Sequence, residues 1–240
     1  MNTQEWMKEY LKENRKNPVL LRGVAQIYRA TGEECYLDYL KRADKEVDVT
    51  NGSVFSFLYQ ITKEQNYLDL VEKVNGTLKE ENRTEILPFY MEYETKYGKK
   101  ERYNEIIAKL DAEQERVYDR ETRTLRTDAA DAIRLMMVYV DTMSAMSIEI
   151  YEMYRKLQDY YKELLKCVRR EDTFSKEDAW MLSYTMFKGC NMRILLSEKY
   201  EEEAVSLQEQ KLPQADEPEI NAGIFLMSYA QRKILEEKNR

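Results

Sequence analysis

The sequence predicts an all-α protein, an α/α toroid of about six helical hairpins. Three observations lead there. Helical periodicity is nearly continuous, strand alternation is nearly absent, and only 7 Gly and 4 Pro interrupt 240 residues. Segments that are apolar around most of their circumference alternate with segments that carry one apolar stripe. One stretch is written twice: "YRATGEECYLDYLKR" (28–42) and "YQITKEQNYLDLVEK" (59–73) agree at six of fifteen positions with an offset of 31 residues.

Taken in order, helices are expected at about 3–15, 18–31, 33–47, 52–63, 65–78, 84–96, 99–117, 128–144, 147–170, 177–194, 198–209 and 220–237. The breaks fall at Asn17-Pro18, Thr31-Gly32, Asn51-Gly52, Arg123–Thr127, Asp172–Ser175 and Pro213–Pro218, each holding turn or capping residues. Helices beginning near 18, 52, 84, 128, 177 and 220 are expected to be enclosed, as in "VFSFLYQI", "ILPFYMEY", "IRLMMVYV", "WMLSYTMF" and "IFLMSYA". Their partners, such as "YLDYLKRADKEV" and "YNEIIAKLDAEQERV", pair one apolar stripe with a charged face and belong at the surface. Enclosed helices alternating with surface helices make two concentric rings.

The doubled stretch then bridges the end of an enclosed helix, a short turn and the start of a surface helix. Tyr28 and Tyr36 bracket one turn, Tyr59 and Tyr67 the next. Their rings are expected to pack beneath it, and Glu33 and Glu64 to sit where the helix dipole favours carboxylates. "YGKKERYNEIIAKL", with Tyr97 and Tyr103, is a weaker third copy. An open α-solenoid is the alternative. Enclosed helices starting at about 18, 52 and 84 fit a repeat of about 34 residues, but those at about 128, 177 and 220 do not. A single domain, 1–240, is expected.

Composition excludes several chemistries. There is no His, so Ser-His-Asp and Cys-His catalysis and histidine-based metal sites are out, and acid–base work falls to carboxylates, Lys, Tyr or Cys. No metal and no cofactor is expected. The net charge is −7, and no Lys/Arg cluster is interleaved with exposed aromatics, which argues against nucleic acid as a partner. Cys35, Cys167 and Cys190 are scattered, without a C-x-x-C pair, and read as reduced thiols of a cytoplasmic protein. "MNTQEWMKEYLKEN" is charged and amphipathic, unlike a signal peptide, and no apolar run is long enough to span a membrane.

Four segments resemble the unsaturated glucuronyl and rhamnogalacturonyl hydrolases. "VDVTNGSVFSFLYQITKEQNYLDLVEKV" is similar to their segment in which an Asp precedes a Gly, an apolar helix and an "LY..T.d..Y" pattern. "ILPFYMEYETKY" resembles their "PF" helix, "YTMFKGCNMRILLSEKYEEEA" their "YA.AKG...G.L...Y...A" helix pair, and "NAGIFLMSYAQ" their closing "GAGAF.LA..E". The chain resembles a shortened, divergent member, bacterial in style. The resemblance implies a six-hairpin glycosidase-like toroid. It also implies hydration of the enol-ether double bond of an unsaturated uronyl sugar, with an aspartate delivering and removing the proton. Oligosaccharide is then the implied partner; the oligomeric state is left open.

Carried over residue by residue, the resemblance places Asp48 and Glu81 as the acid–base pair. The family's "W.R..GW" stretch maps onto "DAADAIRL", where its arginine becomes Ala130 and its second tryptophan Arg134; its "LE.S.S" glutamate becomes Ser175. These losses imply catalysis weakened or lost. Other candidates come from their positions at enclosed-helix starts. Arg83 beside Glu81 and Glu85 reads as a uronate clamp, or as part of a solvated helix start. Asp128 and Asp131 read as site carboxylates, with capping as the alternative for Asp128. Glu177 and Trp180 read as an acid with a sugar-stacking ring, with core packing as the alternative for Trp180. Arg134, on an otherwise apolar helix, is expected to pair with one of these acids.

Overall fold

The computed structural model describes residues 3–13, 15–43, 48–77, 83–171 and 173–239. Among them are twelve α-helices: α1 (Thr3–Tyr10), α2 (Pro18–Thr31), α3 (Glu34–Arg42), α4 (Gly52–Thr62), α5 (Gln65–Thr77), α6 (Leu87–Lys96), α7 (Tyr103–Val117), α8 (Ala129–Ala145), α9 (Tyr151–Val168), α10 (Lys176–Asn191), α11 (Ser197–Glu209) and α12 (Glu219–Lys238). Each expected helix has its counterpart. α7 starts later than its periodicity suggests because Lys100, at φ 64°, is left-handed and cannot belong to it. The proposed extension of α3 through 44–47 lies outside the described residues.

Between α7 and α8 the sequence reading missed a hairpin, β1 (Tyr118–Asp119) antiparallel to β2 (Thr124–Leu125), with Tyr118 opposite Leu125. Asp119 Oδ1 accepts the N–H groups of Glu121 (2.9 Å) and Thr122 (3.1 Å) and so sets the turn. Strands of two residues leave no alternation to detect.

The expected alternation of helix character is present. Buried positions run consecutively through Leu87–Glu94 in α6 and Ala179–Phe187 in α10. In α5 only Tyr67, Val71 and Val74 are buried, one stripe at helical spacing.

The chain divides into two compact units, Met1–Gly76 with Ala179–Arg240, and Thr77–Asp178. In the first, α2 packs along α12, joining the first enclosed helix to the last. Glycines permit this approach. A Cβ at Gly223 would stand 2.4 Å from the Val19 carbonyl, and one at Gly23 would stand 2.6 Å from the Gly223 oxygen. α1 seals the same seam: Trp6 Nε1 donates to the Gln214 carbonyl (2.8 Å) and the Tyr10 hydroxyl to the Glu217 carbonyl (2.6 Å). Behind the seam, buried Gln208 donates to Ser228 (2.7 Å), Ser228 to Ser183 (3.0 Å) and Ser183 to the Ala204 carbonyl (2.7 Å). In the second unit α8 packs on both α6 and α9.

The doubled stretch forms the same corner twice. Gly32 N–H donates to Tyr28 O (2.8 Å), and Lys63 N–H to Tyr59 O (2.9 Å). Thr31 Oγ1 donates to Ile27 O and Thr62 Oγ1 to Leu58 O, both at 2.9 Å. Both threonine oxygens then accept the N–H two residues on, from Glu33 (3.3 Å) and Glu64 (3.2 Å). Tyr36 and Tyr67 are buried beneath, 3% and 2% exposed. The repeat is therefore a structural corner in which the shared threonines supply bonds and Tyr36 and Tyr67 supply packing. Thr95, whose hydroxyl donates to Met91 O (2.8 Å) and meets the Tyr103 hydroxyl (2.8 Å), makes the weaker third version.

Candidate functional site

Of the predicted site residues, Asp48, Arg83, Asp128, Asp131 and Glu177 sit at or just before helix starts, and Asp48, Asp128 and Asp131 are held by local bonds there. Asp48 is exposed, immediately before the 3-10 turn Val49–Asn51 that leads into α4; its Oδ1 accepts Thr50 N–H (2.8 Å) and bonds the Thr50 hydroxyl. Glu81 lies outside the described residues. Arg83 is exposed, just before the turn Thr84–Ile86 that opens α6.

Asp128 caps α8, its Oδ1 accepting Asp131 N–H (2.9 Å). Asp131 is clamped between Arg116 (3.1 Å) and Arg134 (3.5 Å). Arg134 thus pairs with an acid, as the sequence suggests, but its side chain is 50% exposed. α8 is enclosed everywhere except along this edge, so the arginine reaches water and needs no buried counter-ion.

Glu177 is half-buried in the first turn of α10. Beside it, Ser175 and Asp178 cap reciprocally: Asp178 N–H donates to Ser175 Oγ (3.0 Å), and that hydroxyl donates to Asp178 Oδ2 (2.6 Å). Trp180 has no exposed surface; its Nε1 donates to the Lys211 carbonyl (3.0 Å), and its ring meets Phe225 edge-on at 5.0 Å. It presents no face for a sugar to stack on, and the packing alternative describes its position.

A depression of about 720 Å³ opens in the first unit where the N-terminal ends of α2 and α12 lie side by side. Arg15, Lys16, Asn17, Pro218, Glu219 and Ile220 line it. Glu219 Oε2 accepts the N–H groups of Asn17 (2.8 Å) and Lys16 (3.1 Å), stitching the entry of α2 to the start of α12. Asn17 Oδ1 caps α2 at Val19 N–H (2.9 Å). The Arg15 guanidinium lies over the Tyr10 ring at 4.2 Å and pairs with Glu13 at 2.9 Å. Burial raises the Tyr10 hydroxyl above its ordinary value of 10; Arg15 opposes the shift, and Glu219 and Glu217 add to it. At neutral pH this wall therefore offers a cation and a carboxylate, while the Tyr10 phenol, buried behind them, keeps its proton for the Glu217 carbonyl. The sequence reading marked Asn17-Pro18 and Pro213–Pro218 as breaks without reading them as a mouth. The available signal was a cap and a proline opening two enclosed helices. Among the described residues, no group of three or more acidic or cysteine side chains could hold a metal.

No family model and no curated protein matches the sequence. Solved structures do. A glycoside hydrolase of family 105 from C. acetobutylicum superposes with a TM-score of 0.73 at 13% identity, covering 90% of this chain and 92% of that one. A glycosyl hydrolase of family 88 from Bacteroides vulgatus gives 0.71 at 11% identity, covering 97% and 99%. A polysaccharide lyase gives 0.69 at 12% identity, covering 92% and 90%. The fold is therefore the all-α toroid class of the family 88 and 105 glycoside hydrolases. The open solenoid is excluded: α2 and α12, near opposite ends of the sequence, pack together. At these identities the likeness defines the scaffold and leaves the reaction open, since a lyase shares it.

Proposed function

We propose that this chain is a glycoside hydrolase-like protein that handles unsaturated uronyl oligosaccharides on a toroid scaffold, with catalysis weakened or lost. The likeness in fold to uronyl-family hydrolases carries the reading. The bonding at the helix starts supports the loss. Asp48 and Asp128 spend acceptor positions on capping, and Asp131 spends both its oxygens on arginines. An acid–base pair must instead present its oxygens to the reacting sugar. Should the protein turn over, Asp48 and Glu81 are the proposed pair, with Arg83, Arg134, Asp128, Asp131 and Glu177 around the sugar. Trp180 would join them only after leaving the core. A non-catalytic carbohydrate-binding or regulatory module on the same scaffold is the second reading, favoured by the depression beside Arg15 and Glu219. Among the described residues no helix is long and apolar enough to cross a membrane, and the cysteines are free, which suits the proposed reducing, cytoplasmic setting.

The test is loss of the double bond's ultraviolet absorbance when purified protein meets unsaturated glucuronyl and galacturonyl disaccharides. Little or no turnover is expected. Robust turnover that vanishes in Glu81→Gln or Asp48→Asn overturns the loss of catalysis and establishes a rebuilt active site. Failure of either disaccharide to bind at all sinks the carbohydrate reading of this mouth.

A further inference from the structure

A cavity of about 390 Å³ opens in the first unit between α1, the end of α11 and the middle of α12, away from the enclosed-helix starts that hold the candidate site. Phe225, 1% exposed, forms its floor, and half-buried Tyr229 lies nearly parallel to it, 6.2 Å away at 17°. Leu212, 54% exposed, stands at the rim. The walls are held firmly. Trp6 and Trp180 both pack edge-on against Phe225, at 5.6 and 5.0 Å. The bond from Trp180 Nε1 to the Lys211 carbonyl (3.0 Å) fixes the segment that carries Leu212.

At the polar end of the cavity the charges cancel. Arg232 and Glu209 are the charged residues that line it, and they pair at 2.7 Å. Arg232 Nε is held in turn by Glu236 (2.9 Å), which also takes Lys233 (2.8 Å). Gln208 is fully used, accepting from Arg232 Nη1 (3.2 Å) and donating to Ser228 (2.7 Å). Four polar groups of the lining have no hydrogen-bond partner among the described residues: Arg232 Nη2, the Oε2 oxygen of Glu209, and the hydroxyls of Tyr229 and Thr3. They comprise a donor, an acceptor and two groups that can act as either.

We propose that this cavity binds one unit of a neutral saccharide, its C–H face against Leu212 and the edge of Tyr229, its hydroxyls bonded to Arg232 and Glu209. The volume suits a small ligand. A sugar hydroxyl donates and accepts at once, so neighbouring hydroxyls can serve a guanidinium and a carboxylate that already face each other. Other ligand classes fit less well. An anion gains little, because two carboxylates already offset the charge of Arg232. A flat aromatic ligand meets a ring already in contact with Phe225 and with Lys233 Nζ, 5.4 Å from its centre. An apolar ligand would strip water from the ion pair and return no hydrogen bonds. The choice of a saccharide comes from this lining and does not rest on the function proposed above.

The chain carries its own reporter, since its only two tryptophans, Trp6 and Trp180, both touch the cavity floor. The test is titration of the full chain with the methyl glycosides of glucose, galactose, mannose and rhamnose, read by tryptophan fluorescence and by calorimetry. Galacturonate and cyclohexanol are titrated in parallel as the charged and the apolar ring. Saturable binding of at least one neutral glycoside, tighter than either comparison ligand, is expected. Tyr229→Phe, which keeps the ring and removes the hydroxyl, should weaken it roughly threefold or more. Glu209→Gln should weaken it by a similar factor and, by leaving Arg232 with one carboxylate fewer, bring galacturonate binding closer to that of the glycoside. Both variants should keep the parent's circular dichroism. No binding of any of the four glycosides by either method overturns the inference. So does galacturonate or cyclohexanol binding as tightly as the best glycoside, or glycoside binding that is undiminished in both variants.

Discussion

Lys63 stands where Gly32 stands one repeat earlier, at φ 60° against 68°. Glycine enters the left-handed region freely, whereas a side chain pays about 1 kcal/mol there. The other left-handed residues that are not glycine are also Lys or Arg, and Lys63 follows α4 directly, where a cation offsets part of the strain by facing the helix's carbonyl end. Lys63→Gly should therefore stabilise the protein by about 0.5 kcal/mol, seen as a small rise in thermal midpoint. Tyr36 carries far more of the corner. Tyr36→Ala should cost about 3–5 kcal/mol in chemical denaturation, as for other buried aromatics. A variant that melts like the parent would mean that the repeat does not brace the fold.

At the scale of elements, the α2–α12 contact turns on two glycines. Adding a methyl at Gly223 sets it against backbone atoms of Val19 and Leu20, which cannot rotate away. Gly223→Ala should cost about 1–3 kcal/mol or more and lower the melting midpoint, with Gly23→Ala acting in the same direction. Helix order and character were legible in the sequence because burial writes itself into periodicity. The α2–α12 partnership was legible as the closing contact of a ring, but its tightness was not, because a glycine in one helix does not announce the backbone that presses on it. The hairpin escaped because its strands are too short. At the site the difficulty is chemical. Asp, Ser and Asn at a helix start look the same whether they cap or catalyse, so Asp128 and Ser175 became legible only through their bonds. Arg134 shows the limit of periodicity, which reports how apolar a helix is but not which edge of it stays wet.

Over the whole molecule, one unit is continuous in sequence, Thr77–Asp178, and the other is assembled from residues before and after it. During synthesis α2 leaves the ribosome with its left-handed corner and its apolar face complete, but its principal neighbour, α12, is still untranslated. The intervening unit has all its parts to hand and can condense first. In the first unit α2 can pack on α3 and α4 at once, but the face that meets α12 stays open to other chains in the meantime. The tight glycine crossing is thus also a clock: this protein's most demanding contact is its last to form, and the interval before it closes is when a chaperone has most to protect.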